Sequence, residues 1–303
     1  MKIDLERVQS RLFENETVRT RILKDFGIAQ NPVNAKHFIG LVVDALKQPV
    51  AAEPLEQAVT NGEVFRAAVW ALGSNSRNWC LFLRNETQIR ILLEGYDPQA
   101  ALLSFDRHPD ILNKIESYLV GQTSSHDAQS IFMWALILSK RRDFYKEIVR
   151  AGQKFRDDYK TLHAETLDDF DLALCMVGHF ADERCSGVYK FPGMQCILAS
   201  EFFKNLGWSG FKPDRHVQRL FDRWFSQQNM MLINQAKLVS FESLILGGKK
   251  SKELRTFLEY SMLGKTVSPA GSIFSQVDNM LWLLGKYIET KGKETSTVYV
   301  SAI

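Results

Sequence analysis

With 303 residues, 45% of them hydrophobic and 24% charged, the chain has the composition of one large or two ordinary globular domains, which excludes a disordered protein. A formal net charge of +3 excludes binding of polyanions by bulk charge, so any such partner must be met by local basic patches. Cys80, Cys175, Cys185 and Cys196 form neither a C-x-x-C pair nor a zinc or iron–sulfur spacing, so no metal site and no cofactor is expected.

The first residues, Met1-Lys2-Ile3-Asp4-Leu5-Glu6-Arg7, carry charges where a signal peptide needs an apolar stretch. The longest apolar run, Ile131 to Leu138, is too short to cross a bilayer, and a cytoplasmic protein with reduced thiols is expected. Helical periodicity dominates throughout and alternating strand patterns are nearly absent. Leu5, Val8, Leu12, Val18, Ile22 and Phe26 mark one apolar face at three- and four-residue steps. Asn34 caps a second predicted helix running to Lys47, with Phe38, Val42 and Leu46 inward. Further helices are predicted at Leu55–Leu72, Gln88–Glu94, Asp110–Val120, Ser125–Leu138, Asp143–Phe155 and Leu167–Phe180. After Asp214 the pattern gives a helix to Phe225, then Phe241–Leu246, Lys252–Met262 and Gly271–Glu289. The tail from Lys291 to Ile303 reads as frayed, with Val298-Tyr299-Val300 a candidate short strand.

Chemistry concentrates in Tyr189-Lys190-Phe191-Pro192-Gly193-Met194-Gln195-Cys196-Ile197. Pro-Gly breaks the chain between two apolar helices, and Gly193 can take positive φ in a very tight turn. The first N–H groups of the second helix lack intrahelical partners and carry the positive end of its dipole, which suits a phosphate. An ordinary helix–Pro-Gly–helix corner would use the same residues.

This segment resembles the helix-hairpin-helix DNA-binding element, whose hairpin usually reads Leu-Pro-Gly-Val-Gly; here Gln195 replaces the second glycine. If that position required positive φ, Gln195 would cost about 1 kcal/mol. Downstream, Phe211-Lys212-Pro213-Asp214-Arg215-His216-Val217 is similar to the Val-Asp-x-His-Val segment of the helix-hairpin-helix DNA glycosylases with a Gly/Pro-rich loop and an aspartate (HhH-GPD). Asp214 is expected to cap the helix beginning at Arg215, accepting N–H bonds that favour its ionised form. A plain N-cap aspartate is the alternative. A weaker match, Phe65 to Asn78, is similar to the family helix whose polar loop enters the duplex. The likeness spans roughly Phe65 to Phe225 and is specific only at the hairpin and the Asp214 segment.

The resemblance implies an all-α protein of two helical domains with a cleft between them. One would be a central barrel over 55–205 that includes the hairpin, the other a discontinuous domain made of 1–54 and 206–303. It implies a DNA glycosylase that flips a damaged or modified base out of double-stranded DNA and hydrolyses its N-glycosidic bond, with Asp214 catalytic. Contacts to DNA would come from Gly193, Met194, Gln195, Lys190, Lys212 and His216, with Asn75 filling the gap in the stack and Arg77 or Asn78 probing the facing base. Some members attack the sugar with a lysine; the matching position here is Ile197, so the resemblance implies a monofunctional enzyme leaving an abasic site. Modified phage DNA is one conceivable target, and a non-catalytic helix-hairpin-helix DNA-binding protein is the alternative from another class.

Overall fold

The computed structural model describes residues 1–46, 55–74, 78–181, 191–225, 229–289 and 299–301. In chain order come a short strand β1 (Lys2–Ile3) and helices α1 (Leu5–Glu14), α2 (Glu16–Asp25) and α3 (Ala35–Leu46). Next are α4 (Asn61–Gly73), α5 (Trp79–Leu92), a 3-10 turn at Glu94–Tyr96, α6 (Pro98–Arg107), α7 (Ile111–Leu119) and α8 (Ser124–Ser139). The remainder is α9 (Phe144–His163), α10 (Asp169–Ala181), α11 (Cys196–Asn205), α12 (Arg215–Phe225), α13 (Asn229–Leu232), α14 (Gln235–Leu246), α15 (Lys252–Val267), α16 (Phe274–Tyr287) and β2 (Val300–Ser301). Among the described residues the protein is therefore all-helical apart from one two-stranded ribbon, and no helix is long and apolar enough to cross a membrane.

Local chemistry sets several of these boundaries. The first apolar face is cut into α1 and α2 at Asn15, whose side chain accepts from the Val18 N–H at 3.1 Å and so starts a new helix. The helix expected from Leu55 begins only at Asn61. Thr60 and Glu63 form a reciprocal capping box there, the Thr60 hydroxyl accepting from Glu63 N and the Glu63 carboxylate from Thr60 N. Several helices exceed or escape the sequence reading: α5 starts at Trp79 rather than Gln88, α9 runs to His163 rather than Phe155, α14 starts at Gln235 rather than Phe241, and α15 runs to Val267 rather than Met262. Neither α13 nor α6, with Asp97 as cap and Pro98 in its first turn, was anticipated.

The chain divides into two compact units, one of Met1–Gln48, Ser209–Ser243 and Gly248–Ile303, the other of Pro49–Trp208 with Leu244–Gly247. In the Pro49–Trp208 unit α8 packs on α4, α6 and α7, while α11 packs on α4 and α10. Asn61 fixes the corner between α8 and α9, donating to Leu138 O and Arg141 O and accepting from Phe144 N at 2.9 Å. In the other unit α16 is the shared support, covered by α1, α12 and α15. There β1 and β2 pair antiparallel with Ile3 opposite Val300, and Lys2 Nζ donates to the carbonyls of Thr266 and Ser268 at the end of α15. Tyr299 precedes this strand rather than lying in it, and Val298 is outside the described residues.

Candidate functional site

The segment leading to Asp214 is held by its neighbours before any chemistry is considered. Phe211 is fully buried, its ring stacked on Phe221 at 5.9 Å, and its carbonyl accepts from Ser261 Oγ at 3.3 Å. A Cβ on Gly264 of α15 would stand 2.8 Å from that ring, so only glycine lets α15 come so close. After Pro213, whose carbonyl accepts from Gln218 Nε2 at 2.7 Å, the chain turns sharply, with Asp214 N donating to Lys212 O at 2.8 Å.

Asp214 then caps α12. One carboxylate oxygen, Oδ1, accepts from both His216 N (2.8 Å) and Val217 N (3.2 Å). Among the described residues no donor reaches the other oxygen, Oδ2, and Asp214 is half-buried rather than packed away. The first turn of α12 rests on α16 through Gly285, where a Cβ would stand 3.0 Å from His216 O. Arg219 Nη2 lies 2.9 Å from His216 Nδ1 and donates to Gly285 O at 3.2 Å. The same His216 Nδ1 lies 3.4 Å from Gly285 O, so this ring nitrogen faces both a donor and an acceptor. Burial pushes the His216 imidazole below its ordinary pKa range, against the opposing pull of the Asp214 carboxylate. His216 is thus a packed and hydrogen-bonded residue in the first turn of α12.

The hairpin is equally well fixed. Met194 N donates to Phe191 O at 3.1 Å, Pro192 occupies the second position and Gly193 has φ +80°, which together define a type II β-turn. Phe191 is wholly buried, stacked on Phe144 (5.2 Å) and Trp134 (5.5 Å) and edge-on to Phe180 (5.4 Å). Trp134 Nε1 donates to Pro192 O at 2.9 Å. Gln195 has φ −86° and ψ 174°, an extended conformation open to any residue, so the missing second glycine costs no backbone strain. Its side chain does not cap α11, which leaves the amides of that first turn without a side-chain acceptor from Gln195.

The other expected contact residues fall variously. Met194 is completely buried and its N–H is committed to the turn, so it has no side-chain surface for DNA. Lys212 is buried, only 7% exposed as a residue. Ile197 stands in the second hairpin helix and carries no amine. Asn75, Arg77 and Lys190 lie outside the described residues. Along α12, Arg215 is exposed, whereas Arg223 pairs with Glu289 at 2.6 Å and Arg219 is engaged at Gly285, so the basic face is thinner than its four-residue spacing suggests. Sequence reasoning missed Trp134 and Gly285. Both act on the motifs from remote positions, and a buried tryptophan or a helical glycine gives no local signal of that role. Among the described residues no three His, Cys, Asp or Glu side chains gather as a metal would require. Comparison with protein-family models, with curated proteins and with solved structures gives no match.

Proposed function

We propose that the protein is a monofunctional DNA glycosylase acting on a damaged or modified base in double-stranded DNA. The observation that carries this reading is the division of labour within Asp214: Oδ1 holds the helix cap while Oδ2 has no donor among the described residues. A carboxylate so oriented can stabilise the cationic sugar that develops as the N-glycosidic bond breaks and its electron pair leaves with the base. Water then adds to the anomeric carbon and gives up a proton, with Asp214 as its acceptor. The product is an abasic site. With Ile197 where a lysine nucleophile would stand, no Schiff base forms at that point. The hairpin of Phe191 to Gln195 supports the reading as the element that would grip the DNA backbone.

The test is incubation of the full chain with a panel of duplexes carrying alkylated, oxidised or bulky modified bases. Release of free base and alkali-labile sites is expected, with no protein–DNA adduct trapped by borohydride. Salt-dependent DNA binding without base release from any duplex would favour the non-catalytic DNA-binding reading, and absence of DNA binding would refute both.

A further inference from the structure

The turn that presents the hairpin is shaped by a helix more than fifty residues earlier in the chain. Trp134 of α8 is fully buried, stacks on Phe191, and donates its indole N–H to the Pro192 carbonyl. That carbonyl shares a planar trans peptide with the N–H of Gly193, so the two point in opposite directions. Holding Pro192 O inward against α8 therefore aims the Gly193 N–H outward. It also selects the type II turn, because the type I alternative requires that same peptide to flip. Ser130 completes the seat: its hydroxyl lies 3.0 Å from where a Gly193 Cβ would be, and His126 Nε2 lies at 3.4 Å. Among the described residues no protein acceptor faces the Gly193 N–H, and Gly193 is exposed.

We infer that Trp134 is a positioning residue for DNA: through the Pro192 carbonyl it locks the Gly193 amide toward a phosphate oxygen of the bound backbone. This rests on the reading of the hairpin as a DNA-gripping element. Trp134→Phe keeps a ring in the socket but removes the donor, and benzothienylalanine at position 134 keeps the full shape without the N–H.

The experiment scans a short unmodified duplex with single methylphosphonate replacements, using wild type, Gly193→Ala, both position-134 variants and Leu138→Ala. Leu138 is a fully buried residue of the same helix and controls for lost stability. In wild type, one replacement should weaken binding about tenfold, the scale of a lost charge-assisted hydrogen bond. Gly193→Ala identifies that phosphate by no longer sensing it. The position-134 variants should lose no more than about twofold there, whereas Leu138→Ala should keep the tenfold loss. Full sensitivity in both position-134 variants would overturn the inference and leave the DNA reading standing. If no phosphate that wild type senses is lost in Gly193→Ala, the hairpin reading itself falls.

Discussion

Asp214 caps α12 with one oxygen, and the proposed function assigns its charge a second task, which substitution can separate from the first. Asparagine is as good a helix cap as aspartate but carries no charge. Asp214→Asn should therefore unfold in denaturant at nearly the wild-type midpoint, while Asp214→Ala, which removes the acceptor of the His216 and Val217 amides, should lose about 1 kcal/mol. His216 supplies a pH signature. Its folded pKa lies below the unfolded value because burial disfavours the charged ring. At neutral pH both states are neutral at this residue. As pH falls through about 6.5 the unfolded chain takes up a proton first, so stability declines until the folded pKa is passed and then levels off. Melting temperatures measured between about pH 7 and pH 5 should fall less steeply in His216→Gln than in wild type.

At the scale of elements, α12 is aimed by its contact with α16. Gly285→Ala would bring a methyl group 3.0 Å from the His216 carbonyl, and neither helix backbone can yield freely. A loss of about 1–3 kcal/mol in chemical denaturation is expected, accompanied by a fall in any Asp214-dependent activity larger than stability alone explains. Helices with a clear apolar stripe were legible in the sequence: α7 runs Ile111–Leu119 against an expected Asp110–Val120, and α12 ends at Phe225 as expected. The start of α5 was not, because Trp79-Cys80-Leu81-Phe82-Leu83 is apolar without a period, and its polar second half supplied the only pattern. The capping box at Thr60 and Glu63 and the Asp97-Pro98 start of α6 were local signals left unread. Asp214 as a cap and Gly193 as a turn were legible because their causes are local. Trp134 on Pro192 and Gly285 under His216 were not, because each joins residues over fifty positions apart.

Across the molecule, no change of composition marks the junction at Trp208/Ser209, so the division there is a fact of packing. The unit that holds Asp214 gathers both ends of the described chain. Lys2 caps the last carbonyls of α15, and Asp4 N donates to Tyr299 O at 2.9 Å. Lys2→Met removes a cation from a helix C-terminus together with two hydrogen bonds, and should cost about 1–2 kcal/mol by chemical denaturation. The central claim concerns the carboxylate itself, and its most direct measurement is single-turnover base release from a duplex that wild type processes, compared with Asp214→Asn. The account predicts a rate lower by on the order of a hundredfold or more, with DNA affinity unchanged or higher. Equal rates from the two proteins would contradict it.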